Sequence, residues 1–129
     1  MVIFVDLDGT LTHTADVKYK EFKDGLRDFN PSEIPLFQGS IDFVSKLKSE
    51  GHRVIILSDS HPKYVRPVVE YYFNVEYIFL ADKPNTAKTL SFILSDESLN
   101  SLYQTQKEDF MIIGDSALDI QLGRKLKIL

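Results

Sequence analysis

The sequence contains no cysteine. That removes disulfides, thiolate nucleophiles and thiolate-bound zinc, and it suits a reducing compartment. Long apolar runs are missing too. Val2–Val5, Val54–Leu57 and Met111–Ile113 fall far short of the roughly 20 residues that a membrane-spanning helix needs. No basic stretch leads into an apolar one at the N-terminus, so nothing reads as a signal peptide. Cytoplasmic localisation without a membrane partner is the expectation. A basic excess is lacking as well: 15 Lys and Arg stand against 19 Asp and Glu, for a net charge of −4. Proteins that grip nucleic-acid phosphates present a basic face, so nucleic acid is not an expected partner. Lys18, Lys20 and Lys23 are interleaved with acids, and Arg124, Lys125 and Lys127 close a predicted helix. Both groups read as solvated faces or helix-dipole partners.

What is present is an ordinary globular composition, 43% hydrophobic and 26% charged over 129 residues. That length accommodates one domain, residues 1–129, and leaves no room for a second. Met1–Val5 is a continuous apolar run that predicts a buried strand ending at Asp6. Apolar residues three or four apart over residues 14–29 predict a short amphipathic helix, broken by Asn30-Pro31 and Pro35. Ser40 is the expected cap of a helix closed by Gly51, followed by the strand Val54–Leu57. Pro62 suits the first turn of a helix to about Tyr72. Tyr77–Leu80 is the third strand and Asn85 caps a helix to about Leu94. Residues 95–108 are polar and predict loop with a helical turn. Phe110–Ile113 is the fourth strand, and Ser116–Leu126 the last helix. Such alternation predicts βαβ units and a parallel sheet.

Asp6, Ser58, Lys83 and Asp115 each fall at or just past the carboxyl end of a predicted strand. In an open α/β sheet this is the edge where ligands bind. Their chemistry fits hydrolysis of a phosphate monoester, which needs a nucleophile, charge cover and a proton for the leaving oxygen. Asp6 is placed to attack phosphorus and form an acyl phosphate. Asp8, beyond one turn residue, can protonate the leaving alkoxide and then deprotonate the attacking water. Mg²⁺ suits oxygen ligands, which Asp6, Asp115 and Asp119 offer. Ser58, with its neighbour Asp59, and Lys83 form the expected phosphate-binding set. His13 and His61 lie near these positions, within reach of a substrate, and read in the first place as ordinary surface residues.

Taken together, Asp6-Leu7-Asp8-Gly9-Thr10, Ser58, Asp82-Lys83-Pro84-Asn85 and Gly114-Asp115-Ser116-Ala117-Leu118-Asp119 resemble the four motifs of the haloacid dehalogenase-like (HAD) hydrolase superfamily, in order. The resemblance implies a Rossmann-like three-layer α/β/α sandwich with a parallel sheet ordered 4-1-2-3. It implies Asp6 as nucleophile and metal ligand, and Asp8 as acid/base that also offers the metal its backbone carbonyl. Asp115 and Asp119 complete the implied metal set. The second aspartate implies a phosphatase, or less often a phosphomutase, since dehalogenase members lack it. A non-catalytic binding module on the same fold is the alternative from another class.

Two departures from the family pattern stand out. Ser58 and Lys83 lie 25 positions apart, too close for a cap domain, and residues 12–39 hold only a small helical or loop insertion. A minimal-cap phosphatase is therefore expected, acting on a small phosphomonoester or a phosphorylated macromolecule. Its aromatic-rich insertion is either a partial lid or a packing element. The chain also stops one helix past the fourth motif, where the family adds a fifth strand. A missing or truncated strand, and a homo-oligomer that completes the open site, are expectations from that.

Overall fold

A computed structural model describes residues 1–79, 95–105 and 110–114. Four strands, β1 (Val2–Asp6), β2 (Arg53–Ser58), β3 (Glu76–Phe79) and β4 (Phe110–Ile113), form one sheet in the order β3-β2-β1-β4. All three pairings are parallel, with Asp6 opposite Leu57 and Ser58 opposite Phe79. The expected order is thus observed, and it reverses direction beside β1, so a crevice forms at the carboxyl end of that strand.

Side-chain alternation along the strands builds two cores. Ile3 and Val5 of β1 and Val54 and Ile56 of β2 face one side, where they meet Val44, Tyr64, Val65, Val68 and Val69. Val2 and Phe4 of β1 and Ile55 and Leu57 of β2 face the other, against Leu99, Phe110 and Ile112. Strands buried on both faces must read as unbroken apolar runs, as these do. The first layer consists of α2 (Ser40–Ser49) and α3 (Pro62–Tyr72), and α4 (Glu97–Thr105) covers the opposite face. Each fully buried valine of α3 contributes about 1.5–3 kcal/mol of transfer free energy.

Three local expectations are corrected. The predicted helix over residues 14–29 is a 3₁₀ turn at Val17–Tyr19 and a single helical turn, α1 (Lys20–Lys23). It stops at Asp24 because Gly25 follows with φ +73, a conformation that ends helices. Ser40 does not cap α2. Gly39, at φ 84, holds that position, while the Ser40 hydroxyl donates to the Leu11 carbonyl at 2.8 Å and ties the helix to the loop after β1. Residues 97–105 form a full helix instead of a loop. Asp96 caps it by accepting from the Ser98 and Leu99 amides, and Leu99, Leu102 and Tyr103 give it one apolar face. The helix predicted from Asn85 and the one over Ser116–Leu126 lie outside the described residues. Among the described residues, no helix is long and apolar enough to cross a membrane.

Candidate active site

The chain leaves β1 at Asp6 and folds into a compact loop around one acceptor. The Leu7 carbonyl receives the amides of Thr10, Leu11 and Thr12, while the Gly9 amide donates to the Thr12 carbonyl at 2.9 Å. Gly9 sits at φ 83, a left-handed conformation that glycine adopts without strain. The loop thereby presents Asp6 and Asp8 at the same end of the sheet. Asp6 is half-buried, and the Thr10 hydroxyl approaches its Oδ2 at 3.4 Å.

Asp8 is held by four hydroxyls. Its Oδ1 accepts from Thr12 at 2.9 Å, Thr14 at 2.8 Å and Tyr64 at 2.7 Å. Its Oδ2 accepts from Ser60 at 2.7 Å. Thr12, Thr14, Ser60 and Tyr64 are all buried. Burial first, and then the adjacent Asp8 charge, push the Tyr64 phenol well above its ordinary value, so it remains a protonated donor. Sequence reasoning missed all four. Ser60 and Tyr64 follow the second motif closely, but nothing in their spacing marks them as partners of Asp8.

Ser58 is buried at the end of β2, where its hydroxyl oxygen accepts the Ser60 amide at 3.1 Å. Asp59 is exposed and faces a cleft of about 440 Å³. Asp8 and Ser60 form the floor of this cleft, and Asp16, Lys20, Lys23 and Asp24 of the insertion form one wall. Lys83, Asp115 and Asp119 lie outside the described residues. Chain direction alone carries the strand end of β4, Gly114, to the rim occupied by Asp6 and Ser58. Among the described residues, no group of three acidic or histidine side chains is gathered to hold a metal.

The insertion has two faces. Tyr19, Phe22 and Phe29 pack on the core, and Phe29 reaches the Tyr64 ring at a centroid distance of 5.6 Å. Its polar side lines the cleft, where the Lys23 ammonium donates to the Thr14 carbonyl at 2.8 Å. The lysine expected on a solvated face is therefore half-buried and fixed. Lys20 pairs with Asp24 at 2.9 Å. Of the two histidines near the motifs, His13 is an exposed loop residue as expected, whereas His61 is half-buried and structural. His61 caps α3 by accepting the Lys63 amide, and its own amide donates to the Lys23 carbonyl. The His13 ring stacks on Phe37 at 4.6 Å.

A second cleft, of about 500 Å³, opens at the opposite end of the sheet beside Lys48, His52 and Arg53. Its cationic groups are already engaged. Arg53 forms a two-pronged pair with Glu76, Lys48 donates to the Asn74 carbonyl, and His52 lies 3.6 Å from Glu50. It lies far from the carboxylates and offers no comparable chemistry.

Neither a family model nor a curated protein matches the sequence. Solved structures do match. A predicted phosphatase from Clostridium acetobutylicum superposes with TM-score 0.68 at 19% identity, over 98% of this chain and 81% of that one. A phosphoserine phosphatase holding an analogue of its phospho-aspartyl intermediate gives 0.62 at 19%, over 96% and 82%. A HAD family enzyme from Bacteroides thetaiotaomicron, bound to magnesium and inorganic phosphate, gives 0.60 at 16%, over 98% and 90%. At such identities the likeness is one of architecture: this chain has the fold of the HAD-superfamily hydrolases.

Proposed function

We propose that the protein is a HAD-type, Mg²⁺-dependent phosphomonoester hydrolase that works through an aspartyl-phosphate on Asp6. The observation that carries this reading is the pair of carboxylates leaving one strand end, of which the second is held rigidly at the floor of a cleft. A binding module has no use for a carboxylate braced by four hydroxyls beside a second acid. The fold neighbours support the same chemistry, since those compared include phosphatases, a phospho-aspartyl analogue and a magnesium–phosphate complex.

In this reading Asp6 attacks phosphorus as the bond to the leaving oxygen breaks, and Asp8 gives that oxygen its proton. Asp8 then takes a proton from water, which attacks the acyl phosphate and regenerates Asp6. Bound Mg²⁺ supplies the positive charge that lets one anion approach another. The oxygen-only donor set fits this hard cation: a half-buried Asp6 carboxylate and, in the resemblance, Asp115 and Asp119. In the resemblance Asp8 would offer a bound metal its main-chain carbonyl, which leaves its side chain to the proton. Ser58 and Asp59 stand on the rim for the phosphoryl group, and the resemblance adds Lys83 to them. The cleft takes the organic part of a small phosphomonoester, and its insertion wall meets that part first. A cytoplasmic setting is part of this proposal.

The test pairs activity with binding. Hydrolysis of p-nitrophenyl phosphate with Mg²⁺ is expected for the wild type and is lost in Asp6→Asn. A rise in melting temperature with Mg²⁺ and beryllium fluoride is expected for the wild type alone. A wild type inert toward a broad phosphoester panel, and unshifted by beryllium fluoride, would sink the proposal.

A further inference from the structure

Asp8 does not contact its four hydroxyls evenly. Oδ1 accepts three of them, at 2.7 to 2.9 Å, and Oδ2, among the described residues, accepts Ser60. An oxygen surrounded by three donors has no lone pair left for a proton. The other oxygen, whose single partner among the described residues also lines the cleft, has room for one. Nor are the donors equivalent in origin. Thr12 and Thr14 belong to the same stretch as Asp8 and move with it. Ser60 and Tyr64 come from beyond β2, and Tyr64 is fully buried within α3.

We infer that Tyr64 is a positioning residue for the acid/base step, holding Asp8 Oδ1 against the frame of α3 so that Oδ2 alone carries the working proton. This rests on the phosphohydrolase reading above. As the bond between phosphorus and the leaving oxygen breaks, the Asp6 carboxylate oxygen bonds to phosphorus. The proton on Asp8 Oδ2 passes to the leaving alkoxide, and Asp8 remains as carboxylate. When water attacks phosphorus, its proton returns to Oδ2 and the bond between Asp6 and phosphorus breaks. Atoms and charge balance across the two halves. Ser60, at 2.7 Å from Oδ2, goes on donating to that oxygen when it is protonated, so the single carboxyl proton points into the cleft toward the leaving oxygen.

Tyr64→Phe keeps the ring that packs on Phe29 and removes only the hydroxyl. The test compares kcat/KM, which reports on steps up to departure of the leaving group, for two substrates with Mg²⁺. An alkyl phosphate needs a proton on its leaving oxygen, whereas 2,4-dinitrophenyl phosphate does not. General acid catalysis is worth roughly 10²–10⁴ in rate, so partial misplacement is expected to lower the alkyl value by about ten- to a hundred-fold. The dinitrophenyl value is expected to change less than about three-fold, with KM for both little altered. A loss equal for both substrates would mean a purely structural role and overturn the inference while leaving the phosphohydrolase reading intact. So would no loss at all. A wild type inert toward every phosphoester would overturn both. If melting curves show that Tyr64→Phe folds poorly, the two substrates are compared at a lower temperature at which the variant is folded. The same split is then expected, and a uniform loss overturns the inference.

Discussion

Gly25 lies directly beneath the imidazole of His61. A Cβ built on Gly25 would stand 2.5 Å from the His61 Cγ and 2.6 Å from Nδ1, and the glycine adopts φ +73. The turn that ends α1 is thus seated on the cap of α3, and the hydrogen bond from the His61 amide to the Lys23 carbonyl, at 2.7 Å, fastens it there. Gly25→Ala meets both a left-handed backbone and a ring that is fixed by its own capping bond. Strain of this kind costs about 1–3 kcal/mol. A fall of that size in urea-unfolding free energy is expected, and an unchanged midpoint would show that the turn relaxes freely.

Tyr64 gives the stability a dependence on alkaline pH. Its folded phenol ionises well above the ordinary tyrosine value, because burial and the Asp8 charge disfavour the phenolate. Below pH 10 the side chain is protonated in both folded and unfolded chains. Above it, the unfolded chain releases a proton that the folded one keeps, so stability falls as pH rises. The maximal slope for one group is about 1.4 kcal/mol per pH unit. Tyr72 and Tyr77 are raised as well, so the informative quantity is the difference between wild type and Tyr64→Phe. Urea melts from pH 8 to 11 are expected to give a shallower decline in the variant. Parallel declines would contradict the assigned burial.

Asp96 acts in the opposite pH range. The Ser98 side chain first, and then the Leu99 amide, hold its carboxyl below the ordinary value of 3.8. Its contribution is therefore present above that value and is lost as pH falls through the lowered one. Substituting a helix cap with alanine costs about 1 kcal/mol, and solvent exposure and salt reduce the electrostatic share. Asp96→Ala is expected to lower stability near pH 7 by up to that amount. The gap to the wild type closes as pH falls below the ordinary carboxyl range, measurable in denaturant titrations at neutral and acid pH.

Leu99 is the main anchor of α4 on the sheet, at 1% exposure among Phe4, Leu57 and Phe110. Leucine-to-alanine changes in such sites cost about 2–5 kcal/mol. Leu99→Ala is expected to fall in that range by urea denaturation. A loss below about 1 kcal/mol would mean that α4 adds little to the core.

The strands were legible because a parallel strand buried on both faces must be uniformly apolar, as Val2–Val5 and Val54–Leu57 are. Pro62 and Tyr72 bound α3 as its start signal and amphipathic spacing predict. Helix α4 was not legible, because only three of its side chains face the sheet and the rest are polar. The helix expected over residues 14–29 has the right apolar spacing, but Gly25 is committed to a long-range fit under His61 that no local window contains. The same holds at the candidate site. Asp6 and Asp8 are readable from a contiguous motif, whereas Tyr64 donates to Asp8 across 56 positions of chain. Its hydroxyl looks in sequence like any other on an amphipathic helix.

The insertion leaves and rejoins the body at nearly one point. Thr12 pairs with Leu36, the His13 amide donates to the Pro35 carbonyl, and the Phe37 amide to the Leu11 carbonyl. Two neighbouring extended stretches thus form a socket whose geometry does not depend on what is carried between them. Since closing a longer loop adds entropy cost only slowly, this socket can receive inserts of very different size without disturbing the sheet. The same chassis can exchange the part that walls its cleft as a replaceable cartridge. For protein engineering this makes residues 15–28 the place to vary, with Thr14 kept on Asp8 and Phe29 and Ile34 kept in the core.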